Sequence, residues 1–123
     1  MERNRDYRSA TRIWRTVVEA IPHNARAHVN LGAALERQGE FETAEPHYRR
    51  ALEISPGYAE AHASLGALLG SQGRRGEAME HLRLAVSSRP GDARAHSNLG
   101  AALRAQGQVD QAIASYRRAL AAR

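Results

Sequence analysis

Apolar positions along this chain fall in stripes. Leu31 and Leu35 share a face with His28 in the i, i+3, i+4, i+7 spacing of an amphipathic helix. Gly39 follows and supplies the left-handed residue that closes a helix. A second stripe, Ala44, Tyr48, Ala51 and Leu52, stops before Pro56, because the residue preceding a proline is pushed out of helical geometry. Both stripes return as Leu65/Leu69 with Ala78/Leu82/Ala85/Val86, and again as Leu99/Leu103 with Ala112/Tyr116/Ala119/Leu120. Seven helices are predicted, near residues 5–20, 25–38, 42–54, 59–72, 75–88, 93–106 and 109–121.

The interval is constant. The stretch AHVNLG at 27–32 recurs as AHASLG at 61–66 and AHSNLG at 95–100, a step of 34 residues. A fixed period in this range signals a solenoid of stacked helix pairs. Repeats are expected over 25–58, 59–92 and 93–123, all within one domain. Residues 1–24 match the second half of a further copy: Ala10 aligns with Ala44, Trp14 with Tyr48 and Pro22 with Pro56. Gly32, Gly66 and Gly100 lie inside helices, where each costs roughly 1 kcal/mol relative to alanine. The expected compensation is close approach of a small residue, Ala44, Ala78 or Ala112, from the paired helix.

Composition narrows the chemistry. Apolar residues make up 42% of the 123 and charged residues 25%, a balance that folds. With no cysteine, disulfides, thiolate metal sites and cysteine nucleophiles are excluded. The formal charge is +5, all the basic residues being arginine, which permits an acidic partner without requiring one. The charged N-terminus lacks the apolar core of a signal peptide. No apolar run approaches the ~18–20 residues needed to span a bilayer. The chain as given therefore reads as soluble, cytoplasmic by default, with no membrane insertion of its own.

The pattern x-x-Leu-Gly-x-x-Leu…Gly…Ala-x-x-x-Tyr-x-x-Ala-Leu…Pro at this period resembles the tetratricopeptide repeat (TPR), over essentially the whole chain. Histidine (His28, His62, His96) replaces the family's usual tryptophan. The resemblance implies an all-α solenoid of antiparallel helix pairs wound into a right-handed superhelix. Its first helices then line a concave face that commonly holds a peptide or partner protein. Pro46, early in a second helix, and Gly70 and Gly76, which loosen the middle repeat, depart from the pattern. The chain starts in mid-repeat and ends without the polar helix that often caps such arrays. Both features raise the expectation of an excised fragment or of a homo-oligomer stacked through its end helices. More distantly, the segment NRDYRSATRIWRTVVEAIPHNARAHVNLG is similar to the junction after the last membrane helix in bacterial multi-pass membrane proteins with TPR tails. Relatives of protein O-mannosyltransferases are among them. On that reading the chain is the extramembrane tail of a glycosyltransferase-like protein, with the catalytic residues elsewhere.

Candidate binding residues follow from the resemblance. Asn30, Ser64 and Asn98 precede Leu-Gly in each repeat and fall toward the concave side. Amides there hydrogen-bond an extended peptide backbone of any sequence, as donor and acceptor at once. The row is similar to the asparagine ladder of O-GlcNAc transferase, which Ser64 interrupts. Arg26, Arg37, Arg94 and Arg104 share the expected groove, and Arg26, Arg94 and Arg104 favour an acidic ligand. Val29, Ala33, Glu36, Glu60, Ala63, Ala67, Gly70, Ser97 and Ala101 complete it. Val29 and Ala33 occupy the places where a carboxylate clamp needs lysine and asparagine, so that mode is rejected.

Other constellations read as structure. His28, His62 and His96 stand on successive first helices roughly 8–10 Å apart, too far to share a zinc ion whose nitrogen ligands lie at ~2.0–2.1 Å. His47 and His81 form a second row with the same limitation, no close histidine pair is expected, and no metal or cofactor is assigned. Arg49, Arg50, Arg83, Arg117 and Arg118 invite a nucleic-acid reading. Glu45, Glu53, Glu77 and Glu80 interleave with them and no exposed aromatic row accompanies them, so a nucleic-acid partner is not expected. Trp14, Tyr48 and Tyr116 share one repeat position and are read as core. No phosphate loop, nucleophile elbow or acidic pair appears. The sequence reads as a non-catalytic protein- or peptide-binding scaffold.

Overall fold

The fold was obtained as a computed structural model, which describes the backbone of residues 2–122 and the side chains of residues 8–122. Among the described residues seven α-helices make up the regular structure: α1 (Glu2–Ala20), α2 (Ala25–Arg37), α3 (Phe41–Ile54), α4 (Ala59–Ser71), α5 (Arg75–Ser88), α6 (Ala93–Ala105) and α7 (Val109–Ala121). The expected boundaries differ from these by no more than a residue, except that α1 begins three residues earlier.

Each first helix ends in the same way. Gly39, Gly73 and Gly107 adopt φ of 83°, 80° and 80°, the left-handed conformation that L side chains resist. The next residue's amide then reaches back to the helix: Glu40 N–H donates to the Leu35 carbonyl at 2.9 Å, Arg74 N–H to Leu69 at 3.0 Å and Gln108 N–H to Leu103 at 2.9 Å. This six-to-one bond satisfies a carbonyl that would otherwise be orphaned, and it turns the chain back so that the next helix runs antiparallel. N-termini are less uniform. The Asn24 side chain accepts from Ala27 N–H and the Asp92 side chain from Arg94 N–H, both at 3.0 Å, whereas Tyr58 caps α4 with no side-chain bond.

The chain divides into two compact units, residues 1–56 and 57–123, at the junction of the first two full repeats. In the first unit α1 packs on α2 and α2 on α3. Its core holds Leu31, Leu35, Ala44, Tyr48 and Ala51. Thr11, buried on α1, donates its hydroxyl proton to the Gln38 side-chain carbonyl beyond the end of α2. Pro46 lies inside α3, which continues through it to Ile54.

In the second unit α4 packs on α5, α5 on α6, and α6 on α7, while α6 also touches α4. Contact between α4 and α6 is the stacking of successive first helices that the period predicts. Ala63, Ala85 and Ala95 form one cluster with Val86 packed on it. Met79, Leu103 and Ala112 form another with Leu99, Ala102 and Tyr116.

Several sequence expectations change. The residue facing each helical glycine is a large one, not the small alanine. A Cβ built at Gly32 would lie 2.7 Å from Tyr48 Cε1, one at Gly66 2.8 Å from Leu82 Cγ, and one at Gly100 3.0 Å from Tyr116 Cε1. Ala78 does contribute, but through its carbonyl oxygen, 3.2 Å from the Gly66 position. Glycine leaves a hole one side chain deep, and a ring or isobutyl group from the paired helix fills it. Val29 and Ala63, expected in the groove, are buried instead. Ala63 packs on α5 and α6, so its register position faces a neighbouring helix. Leu120, expected in the core, is 62% exposed on α7, beside the exposed Val109 and Ile113.

Candidate functional site

The expected peptide-facing residues differ in exposure. Arg26 and Arg37 on α2, and Arg94 and Arg104 on α6, are exposed. Asn30, Ser64 and Asn98 are half-buried on α2, α4 and α6, and none of the three side chains hydrogen-bonds to another described residue. A half-buried amide without an intramolecular partner keeps two donors and an acceptor available to whatever meets that surface.

In the second unit one of these residues lines a pocket. Asn98 forms a wall of a cavity of about 260 Å³ whose other sides are Gly66, Ala67 and Gly70 from α4, Ala78 and Leu82 from α5, and Ala101 and Ala105 from α6. Ser71, Arg75 and Gln106 stand with Asn98 as its polar members. The α4–α6 contact positions the wall, and the absence of side chains on two glycines gives the cavity its depth. Ser64, although on α4, is not among the lining residues.

Histidines form the arrangement that sequence spacing did not foresee. His28 on α2 is 5% exposed, and its Nε2–H donates to the Pro22 carbonyl at 2.8 Å. A carbonyl only accepts, so Nε2 of His28 carries a proton. His47 on α3 completes the pair: the two Nδ1 atoms lie 3.2 Å apart in a hydrogen bond, with the rings stacked 5.4 Å apart at 26°. His62 and His81 repeat the contact at 3.0 Å, with rings 5.3 Å apart at 29°. Burial, then the charge of His28 and of Arg15, lowers the His47 pKa from 6.5. The third repeat lacks the partner. His96 donates Nε2–H to the Pro90 carbonyl at 2.6 Å, but its buried Nδ1 has no hydrogen-bond partner, because Ser115 stands where His47 and His81 stand.

The expectation of no close histidine pair is thus corrected, and the signal was present. His28/His47 and His62/His81 are both 19 residues apart, the offset that places a first helix's fourth residue against its partner helix. Each pair ties two helices of one repeat together. Among the described residues no group of three or more histidine, aspartate or glutamate side chains is placed to hold a metal ion.

Charged pairs on the second helices and at the α5 cap are local: Arg49 with Glu45 at 2.9 Å, Arg50 with Glu53 at 3.4 Å and Arg74 with Glu77 at 2.7 Å. Exposed pairs one turn apart contribute a few tenths of a kcal/mol each, ~0.3–0.5 by double-mutant measurements. They also neutralise part of the arginine row that suggested nucleic acid.

Comparison with known proteins agrees with this architecture. Sequence profiles described as tetratricopeptide repeat match residues 2–59, 35–102 and 93–122. Among solved structures, a crystal structure of MamA protein superposes with a TM-score of 0.80 at 28% identity, over 94% of this chain and 63% of that one. A second MamA crystal structure gives 0.72 at 24% identity, over 95% of this chain and 88% of that one. A MamA double mutant gives 0.79 at 23%, over 94% and 65%. This chain therefore spans about 63% of the length of the first of these structures. No curated protein sequence matches it, and the similarity to O-mannosyltransferase-type tails finds no support among these matches. No helix among the described residues is long and apolar enough to cross a membrane. The glycine-terminated first helices, the glycine-seated side chains of the second helices and the three matched segments converge: the chain belongs to the tetratricopeptide-repeat family.

Proposed function

We propose that this protein is a non-catalytic scaffold that holds an extended segment of a partner protein against its first helices. One observation carries the reading: Asn98, half-buried and with no side-chain hydrogen bond among the described residues, forms part of a pocket wall between α4 and α6. An amide so placed matches the alternating donors and acceptors of a peptide backbone and reads no side chain, so affinity and specificity come from different residues. Asn30 and Ser64 occupy the equivalent register on α2 and α4. Exposed Arg26, Arg37, Arg94 and Arg104 add charge-assisted hydrogen bonds to an acidic segment. Screening the full chain against an array of short acidic peptides, with Asn30→Ala and Asn98→Ala as controls, tests this. Binding that survives both substitutions removes the amides from the reading.

A second reading rests on α7. Val109, Ile113 and Leu120 are 55%, 43% and 62% exposed on one terminal helix. In the same register Met79 and Val86 on α5 are covered by α6. A second copy of the chain covering that face makes the protein a self-assembling module. Light scattering across a concentration series decides this reading, and a strictly monomeric result at high concentration eliminates it.

A further inference from the structure

The three repeats differ at two positions that meet in space. Glu36, Gly70 and Arg104 share one register position, and Tyr48, Leu82 and Tyr116 share another. In the first repeat these positions touch: the Tyr48 hydroxyl donates to the Glu36 carboxylate. The phenol thus fills the space above Gly32 and is tied off at its far end. The middle repeat has lost both partners. Leu82 covers Gly66 but has no atoms beyond its methyl groups. Gly70 contributes no side chain, and a Cβ there would meet only Ala78 Cβ, at 3.8 Å. The cavity of about 260 Å³ lies at this place, lined by Gly66, Gly70, Ala78 and Leu82, with Asn98 and Arg75 also in its lining.

We infer that this pocket receives the aromatic side chain of a bound acidic peptide; the inference rests on the scaffold reading above and specifies its ligand. Three observations select the occupant. First, the repeat itself shows what this framework accommodates, since at the equivalent place in the first repeat it encloses a phenol ring. Second, the volume lies below the ~300–1,000 Å³ usual for small-molecule sites, which suits a single side chain. Third, Arg75 is the one charged residue in the lining, and its cation complements a carboxylate beside the ring. Asn98 in the same wall is placed to take the backbone of the residue that carries the ring. An aromatic anchor buries ~150–250 Å² of its own surface, enough to dominate the affinity of a short peptide.

The test uses the full chain and acidic peptides that differ at one central position, occupied by phenylalanine, tyrosine, leucine or alanine. Wild-type protein is expected to prefer the aromatic peptides over the alanine one by about tenfold or more. Gly70→Glu with Leu82→Tyr transplants the first repeat's own pair and fills the pocket, so the preference should vanish. Gly70→Leu fills it by a different shape and should act alike. Helicity by circular dichroism shows which variants are folded. Binding without aromatic preference overturns the pocket and leaves the scaffold reading standing, whereas failure of every peptide overturns both. N-acetyltyrosinamide supplies a readout free of any peptide backbone. It should shift the amide resonances of Gly66, Gly70 and Ala101 in wild type and not in the double variant. Unmoved resonances in wild type overturn the inference.

Discussion

Tyr48 lies across Gly32 so closely that an alanine Cβ at that position would sit 2.7 Å from the ring carbon Cε1 and 3.0 Å from Cδ1 and Cζ. The ring cannot swing clear: it is 1% exposed, and its hydroxyl is held by Glu36. Gly32→Ala gains about 1 kcal/mol of helix propensity. It also forces an overpacked contact that costs about 1–3 kcal/mol. The net expectation at Gly32 is destabilisation. At Gly66, where Leu82 is 2.8 Å away, Gly66→Leu should separate α4 from α5 and cost more. At Gly100 the closest approach is 3.0 Å and Tyr116 is only half-buried, so the two effects nearly cancel. Urea midpoints of Gly32→Ala, Gly66→Leu and Gly100→Ala should rank in that sense, and equal midpoints would sink the argument.

Gly76 is the internal control. Nothing lies within 4 Å of a Cβ built there, and the residue falls in the first turn of α5. Gly76→Ala should stabilise by about 0.4–1 kcal/mol by reducing the freedom of the unfolded chain. Gly39→Ala meets equally open space but has φ of 83°, so it should destabilise by about 1–2 kcal/mol through backbone strain alone. Opposite signs at two unobstructed glycines isolate the backbone term, and a common sign would contradict it.

Protonation should weaken the first unit. The folded His47 pKa lies below its ordinary 6.5, principally through burial and then through His28 and Arg15. The unfolded state therefore binds the proton more readily. Stability is complete above about pH 6.5 and falls as the pH drops through the lowered value. His47→Gln should flatten the decline between neutral and mildly acidic pH, as followed by urea denaturation. An unchanged slope would show that this ring does not carry the dependence.

Ser115→His supplies the partner that His96 lacks. The new ring stands 19 residues after His96, as His47 stands after His28, and brings an N–H to the unpartnered Nδ1. A net gain of about 0.5–1.5 kcal/mol is expected from that hydrogen bond. The thermal midpoint reports it, provided that His96→Ala in the same background abolishes the gain. A gain that persists without His96 would come from some other contact.

Register position alone does not decide burial. Met79 and Ile113 are equivalent residues; Met79 is 8% exposed against Leu103 and Ala112, whereas Ile113 is 43% exposed. Met79→Ala should cost about 2 kcal/mol or more. Ile113→Ala should stay within about 0.5 kcal/mol in the monomer. A comparable loss at Ile113 in dilute solution would mean that α7 is covered there as well.

Helix number, helix ends and pairing were legible in the chain because each is a local consequence of spacing. Leu31 and Leu35 fall on one face by the helical period. Gly39 alone tolerates positive φ, and the 34-residue step repeats both. What spacing did not reveal were the partners of individual residues across helices. Ala44 and Tyr48 both face α2 as far as periodicity can tell, and only the packed helices show that the ring is what seats on Gly32. Exposure of the expected groove residues was harder to read. Asn98 and the arginines have the exposure of a binding face, but Val29 and Ala63, one register step away, turn into the protein.

Sequence by itself determined a repeating chain of antiparallel helix pairs, since propensity, capping and periodicity act within a few residues and need no distant partner. Tertiary structure alone decided that the Tyr48 ring would seat on Gly32 and that Gly70 with Leu82 would leave a cavity beside Asn98. Those outcomes depend on side-chain volumes and donor directions meeting across helices, which no one-dimensional spacing contains.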